Sequence, residues 1–99
     1  MIGLEDVATA VCKVADTTIE ALRGRSRSIE VASARRAFAV LAVDYLDHRV
    51  AEAAAFLHKH PGSVSRWIGT THETERAPQP MTRILDIASA ELDATSAEL

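Results

Sequence analysis

Ser28-Ile29-Glu30-Val31-Ala32-Ser33-Ala34-Arg35-Arg36-Ala37-Phe38-Ala39-Val40-Leu41-Ala42-Val43-Asp44-Tyr45-Leu46 is the stretch that decides the fold. Val31, Ala34, Phe38, Leu41 and Tyr45 recur at spacings of 3, 4, 3 and 4 residues. That is the period of an amphipathic helix, not the alternation of a strand. Ser28 stands where an N-cap belongs, with a hydroxyl that accepts from an amide of the first turn. The pattern predicts one long helix over 29–46, with Tyr45 closing a stripe that faces the core. Arg35 and Arg36 lie beside that stripe, near the start of the helix.

Working outward toward the N-terminus, Val7, Val11 and Val14 recur at i, i+4 and i+7 and predict a helix over 4–14. Asp16-Thr17-Thr18 offers a cap, with Glu20 three residues after Thr17 as in a capping box. A short helix over 18–22 then runs into the basic loop Leu22-Arg23-Gly24-Arg25-Ser26-Arg27-Ser28. Toward the C-terminus, Asp47-His48 makes a tight connection to a helix over 49–57. There Ala51, Ala54 and Ala55 permit close approach to a neighbour, and Phe56 anchors the end.

His58-Lys59-His60-Pro61-Gly62 reads as a turn, followed by a short helix over 63–68. Val64, Trp67 and Ile68 share its inner face; Ser63, Ser65 and Arg66 point outward. Two short helices so joined form a helix-turn-helix over 49–68. A linker over 69–79 leads to a last helix over 80–92 with Ile84, Leu85, Ala88 and Leu92 on one side. The tail, 93–99, is expected to fray.

Composition agrees with this reading. Of 99 residues, 47% are apolar but only 4% aromatic, and alanine dominates the apolar set, which favours closely packed helices over sheets. The expected fold class is all-α: one compact domain over 1–92, with five to six helices. The single Cys12 has no internal disulfide partner, and no run approaches the roughly 20 apolar residues that span a bilayer. The start Met1-Ile2-Gly3-Leu4-Glu5-Asp6 lacks the basic, long apolar character of a signal peptide. A cytoplasmic location is expected, and no membrane partner.

Charge is segregated along the chain. The formal net charge is −3, yet residues 23–67 hold eight Lys/Arg against four Asp/Glu, and the two flanks together hold three against ten. A positive field concentrated on one part of an acidic protein points to a polyanion, most simply nucleic acid.

The run Thr18-Ile19-Glu20-Ala21-Leu22-Arg23-Gly24-Arg25-Ser26-Arg27-Ser28, followed by Ala34-Arg35-Arg36-Ala37-Phe38-Ala39-Val40-Leu41-Ala42, resembles the C-terminal DNA-binding domain of the bacterial replication initiator DnaA. It is also similar to the DnaA-like tails of REP-associated transposases, and the likeness extends over about residues 7–68. The resemblance implies double-stranded DNA as partner, a bacterial nucleoid location, and a role in replication initiation or its regulation, or in targeting a transposase. It implies that Arg27 enters the minor groove, that Arg25 is a second basic position, that Ser28 contacts the backbone and that Arg35 supports phosphate binding. At the recognition helix the family carries an acidic residue, a histidine and two threonines before a valine. Here those positions read His60-Pro61-Gly62-Ser63 before Val64, so only the final hydroxyl is kept and the major-groove readers differ.

Physical chemistry supports the same partner. Arginine forks grip phosphate oxygens in pairs and are weakly enough hydrated to enter a narrow minor groove. The helix start after Pro61 is expected to offer amides to a phosphate, with Gly62 allowing close approach and Lys59 and Arg66 flanking it. Arg23, Arg25, Arg35, Arg36 and Lys59 are then expected to supply affinity, and Ser63, Ser65 and Arg66 to read base edges.

The competing reading leaves Arg35 and Arg36 paired with Glu30 or Asp44, Lys59 and Arg66 merely solvated, and the helix-turn-helix as a scaffold for protein–protein contact. Catalysis is not expected. His58-Lys59-His60 sets a cation between two histidines, which opposes a metal, and no CxxC, HExxH or P-loop is present, so neither cofactor nor ATP is implied. The residues suit a complete regulator and a fragment attached to a further domain equally, in any oligomeric state.

Overall fold

Phe38, at the middle of the long apolar stripe, is fully buried and marks the centre of the fold. The structure is a computed structural model, and it describes residues 3–24, 28–73 and 79–97. Among these, six α-helices follow one another: α1 Leu4–Ala15, α2 Ile19–Arg23, α3 Ile29–Val40, α4 Val50–Leu57, α5 Pro61–Glu73 and α6 Gln79–Ala97. A π-helical turn, Leu41–Tyr45, extends α3. The described residues contain no strand, so the chain is a small all-α domain.

The helix ends are set by local chemistry. The Asp6 carboxylate accepts the Gly3 N–H at 3.2 Å and opens α1. Asp16, left-handed at φ 54°, closes it. Thr18, not Thr17, caps α2, accepting from the Ala21 N–H at 3.1 Å. Ser28 caps α3 as its position predicts, accepting from the Val31 N–H at 3.3 Å.

α3 is the hub, packed against α1, α2, α5 and α6, while α4 lies mainly on α5. Leu22, Leu57, Val7, Val11 and Val64 join Phe38 as fully buried side chains. Ala34, Ala37, Ala39, Ala42, Ala53 and Ala54 are completely covered as well. Small residues at the crossings let the helices close up, so the core is built from many short contacts instead of a few aromatic ones. Cys12 is buried, which together with the nearby Glu20 charge pushes its thiol pKa up. No described helix is long and apolar enough to cross a membrane.

Tyr45 and the bounds of α5 and α6 differ from the sequence expectation. Tyr45 is 48% exposed instead of core. The Leu46 N–H bonds back to the Leu41 carbonyl at 3.0 Å, a five-residue step, and that wider turn rotates Tyr45 off the stripe although Leu41 stays buried. Its hydroxyl instead donates to the carboxylate of Asp93 on α6.

α5 starts earlier and runs further than 63–68. Pro61 suits the first helical position, and Gly69 does not take the positive φ with which glycine ends a helix. The expected linker over 69–79 therefore yields its first five residues to α5 and its last to α6. α6 also continues through Ala97, beyond the predicted end at 92, because neither proline nor glycine follows Leu92.

Candidate nucleic-acid interface

α2 has only five residues, too few to hold a helix alone, so its C-terminal carbonyls depend on outside donors. Arg35, on the second turn of α3, supplies them. Its Nε donates to the Leu22 carbonyl at 2.8 Å, and its Nη2 donates to those of Gly24 at 3.2 Å and Ala21 at 3.5 Å. Partial burial of this guanidinium lowers its pKa by desolvation, though arginine keeps its charge in proteins.

Two further cations meet at the same place. Arg23 Nε donates to the Phe56 carbonyl at 2.7 Å, and its guanidinium lies 4.8 Å from the centre of the Phe56 ring. Phe56 stacks in turn on Phe38, centroids 5.3 Å apart and planes 23° from parallel. Lys59 Nζ donates to the Gly24 carbonyl at 2.7 Å. The Gly24 oxygen thus accepts from both Arg35 and Lys59, one donor for each lone pair. These contacts fasten the end of α2 to the end of α4 and the turn that follows it.

That turn is built around histidines. His58 is left-handed at φ 56° and closes α4, with the Lys59 N–H reaching the Ala54 carbonyl at 2.9 Å. The Gly62 N–H donates to His60 Nδ1 at 3.0 Å. The Ser63 and Val64 N–H groups donate to the His60 carbonyl at 3.0 and 3.3 Å. The first-turn amides of α5 are therefore engaged, contrary to the expectation that they stand open to a phosphate. The reason is that His60 occupies the capping position with both a side-chain and a main-chain acceptor. A phosphate reaching the Gly62 N–H has to displace the imidazole.

The predicted residues fall into distinct groups. Arg23, Arg35 and Lys59 are drawn together around the Gly24 and Phe56 carbonyls. Arg36 is half-buried, and neither it nor Arg35 forms an ion pair with Glu30 or Asp44. Ser28 is exposed and its hydroxyl caps α3. His60, Gly62, Ser65 and Arg66 are exposed at the start of α5, with Ser63 half-covered. On the opposite face of α5, Val64 and Ile68 are buried and Trp67 packs against the core. Arg25 and Arg27 lie outside the described residues.

Two participants escape the sequence reading. One is the Gly24 carbonyl, since a backbone acceptor has no residue signature. The other is Phe56 as the platform for Arg23, a pairing across 33 residues that no local spacing reveals. Compared with protein-family models the chain finds no match, and compared with curated proteins it finds none either.

Proposed function

We propose that this domain binds double-stranded DNA, with the basic segment after α2 at the backbone and minor groove and the exposed face of α5 in the major groove. One observation carries the reading: Lys59, in the α4–α5 turn, and Arg35, on α3, bond the same Gly24 carbonyl. Gly24, after which the sequence runs into Arg25-Ser26-Arg27-Ser28, is thereby held beside the turn that precedes the exposed Gly62, Ser65 and Arg66. A helix-turn-helix and a basic arm so joined suit a duplex whose two grooves are read together. The charge contrast between residues 23–67 and their flanks favours a polyanion for that side of the molecule.

In this reading Arg25, Arg27, Ser28, Arg36 and Lys59 meet phosphates and the minor groove, while Ser63, Ser65 and Arg66 face base edges. His60 and Gly62 shape the α5 start against the backbone. The biological setting we propose is replication initiation or its regulation, or delivery of an attached transposase to its site, in a bacterial nucleoid. No chemistry is asked of the domain.

The test is a fluorescence-anisotropy titration with random duplex, an initiator-type box and mutated boxes at two salt concentrations. The expected result is binding that weakens steeply with salt, about 0.9 in logarithmic slope per phosphate neutralised. Arg27→Ala is expected to weaken specific binding by about 1–3 kcal/mol. Absence of binding to every duplex at low salt overturns the proposal.

A further inference from the structure

We infer that Arg35 is a positioning residue of this interface, one that locks the end of α2 to the α4–α5 turn, and not a ligand of phosphate. The functional part of the inference rests on the DNA-binding reading; the structural part does not. Arg35 spends its Nε and Nη2 donors on the carbonyls of Leu22, Gly24 and Ala21. It is partly buried, whereas Arg66 at the start of α5 is exposed. A phosphate taking those donors has to deprive the Leu22 carbonyl of its Arg35 donor, leaving the Gly24 carbonyl to Lys59 and the Ala21 carbonyl to the Gly24 N–H.

The geometry also explains why the residue is an arginine. A planar fork reaches the carbonyls of Ala21, Leu22 and Gly24 at once, while an ammonium presents a single point of attachment. The fork and Lys59 approach the Gly24 oxygen from different elements, α3 and the α4–α5 turn. Arg35 thereby sets where the Gly24 carbonyl lies, Lys59 follows that carbonyl, and the start of α5 follows Lys59. Arg23 makes a parallel link by bonding the Phe56 carbonyl. The spacing between Gly24, at the end of α2, and the exposed face of α5 is set before any nucleic acid arrives.

Two measurements test this on the intact chain. In the nitrogen-15-labelled, DNA-free protein, the Arg35 Nε–H is expected as a side-chain resonance that exchanges with water more slowly than those of Arg36 and Arg66. It is expected to keep its position when a saturating short duplex is added. Arg35→Lys, which keeps the charge but loses the fork, is expected to weaken duplex binding by about tenfold at fixed salt. The salt slope should stay that of the wild type, at a temperature where circular dichroism shows the variant folded.

Exchange as fast as that of Arg66, or a resonance that moves on DNA binding, overturns the inference; so does an Arg35→Lys variant that folds and binds like wild type. The exchange measurement needs no variant, so a misfolded Arg35→Lys leaves the decision to it. Slow exchange in a protein that binds no duplex removes the DNA reading and keeps the lock. Fast exchange in a protein that binds duplex removes the lock and keeps the DNA reading.

Discussion

Arg23 holds Phe56 in two ways at once: its Nε donates to the Phe56 carbonyl at 2.7 Å, and its guanidinium covers the Phe56 ring at 4.8 Å. Because Phe56 stacks on the fully buried Phe38, a surface cation is coupled through two rings to the middle of the core. Phe56→Ala is expected to cost about 2–3 kcal/mol, below the full penalty for a buried phenylalanine because the ring is half-covered. Arg23→Ala should cost about 1 kcal/mol. Urea unfolding of both single variants and the double variant measures the pair, with a coupling of about 0.5–1 kcal/mol expected. Strict additivity would show that the contact contributes nothing.

The cap on α5 makes a second, sharper prediction. A Cβ added at Gly62 would lie 3.0 Å from His60 Nδ1 and 3.4 Å from its Cε1, so the imidazole has to yield. His60→Ala removes the cap and is expected to destabilise by about 1 kcal/mol. Gly62→Ala gains about 0.5–1 kcal/mol of helix preference but displaces the ring, so it should be close to neutral in the wild type. In the His60→Ala background nothing opposes it, and it should stabilise. Equal effects of Gly62→Ala in both backgrounds, read from thermal melts, would disprove the contact.

How much of this was legible in the sequence depends on the range of the interaction. Ser28 as a cap, the α3 stripe through Leu41 and the inner face Val64–Ile68 follow from spacings of three and four residues, so local pattern sufficed. Tyr45 did not follow, because a one-residue widening of the helix leaves no mark in a hydrophobic period. The ends of α5 and α6 leave no such mark, because polar residues resemble a loop even where neither proline nor a left-handed glycine enforces one. Arg35 was visible as a cation but not as a cap, since its acceptors are carbonyls 11 to 14 residues away. The basic segment was legible as charge; its attachment through Gly24 was not.

Tyr45 supplies a titration that can be followed alone, because it is the only tyrosine in the chain. Its hydrogen bond to Asp93 raises its pKa above the ordinary phenol value of 10.0, with some desolvation and the Asp93 charge acting in the same direction. A raised folded value means that the contact supports folding fully below the unfolded phenol pKa and is lost as pH rises through the folded one. Absorbance at 295 nm is expected to show a midpoint above that of unfolded protein, and Asp93→Ala should lower it toward the unfolded value. A midpoint unchanged by Asp93→Ala would break the link between the π turn and α6.

Arg66 separates binding from stability most cleanly. It is exposed on the outward side of α5, two positions from the buried Val64, and it makes no hydrogen bond or ion pair with the described residues. Replacing it with alanine should therefore leave stability within about 0.5 kcal/mol of wild type. If it reads a base edge, Arg66→Ala weakens binding by about 1–3 kcal/mol and relaxes discrimination at one base pair. If it meets only phosphate, binding falls evenly across all duplexes and the salt slope drops by about 0.9. A panel of duplexes substituted one base pair at a time, titrated with both proteins at two salt concentrations, tells these outcomes apart. Unchanged affinity for every duplex would exclude the outer face of α5 from the interface.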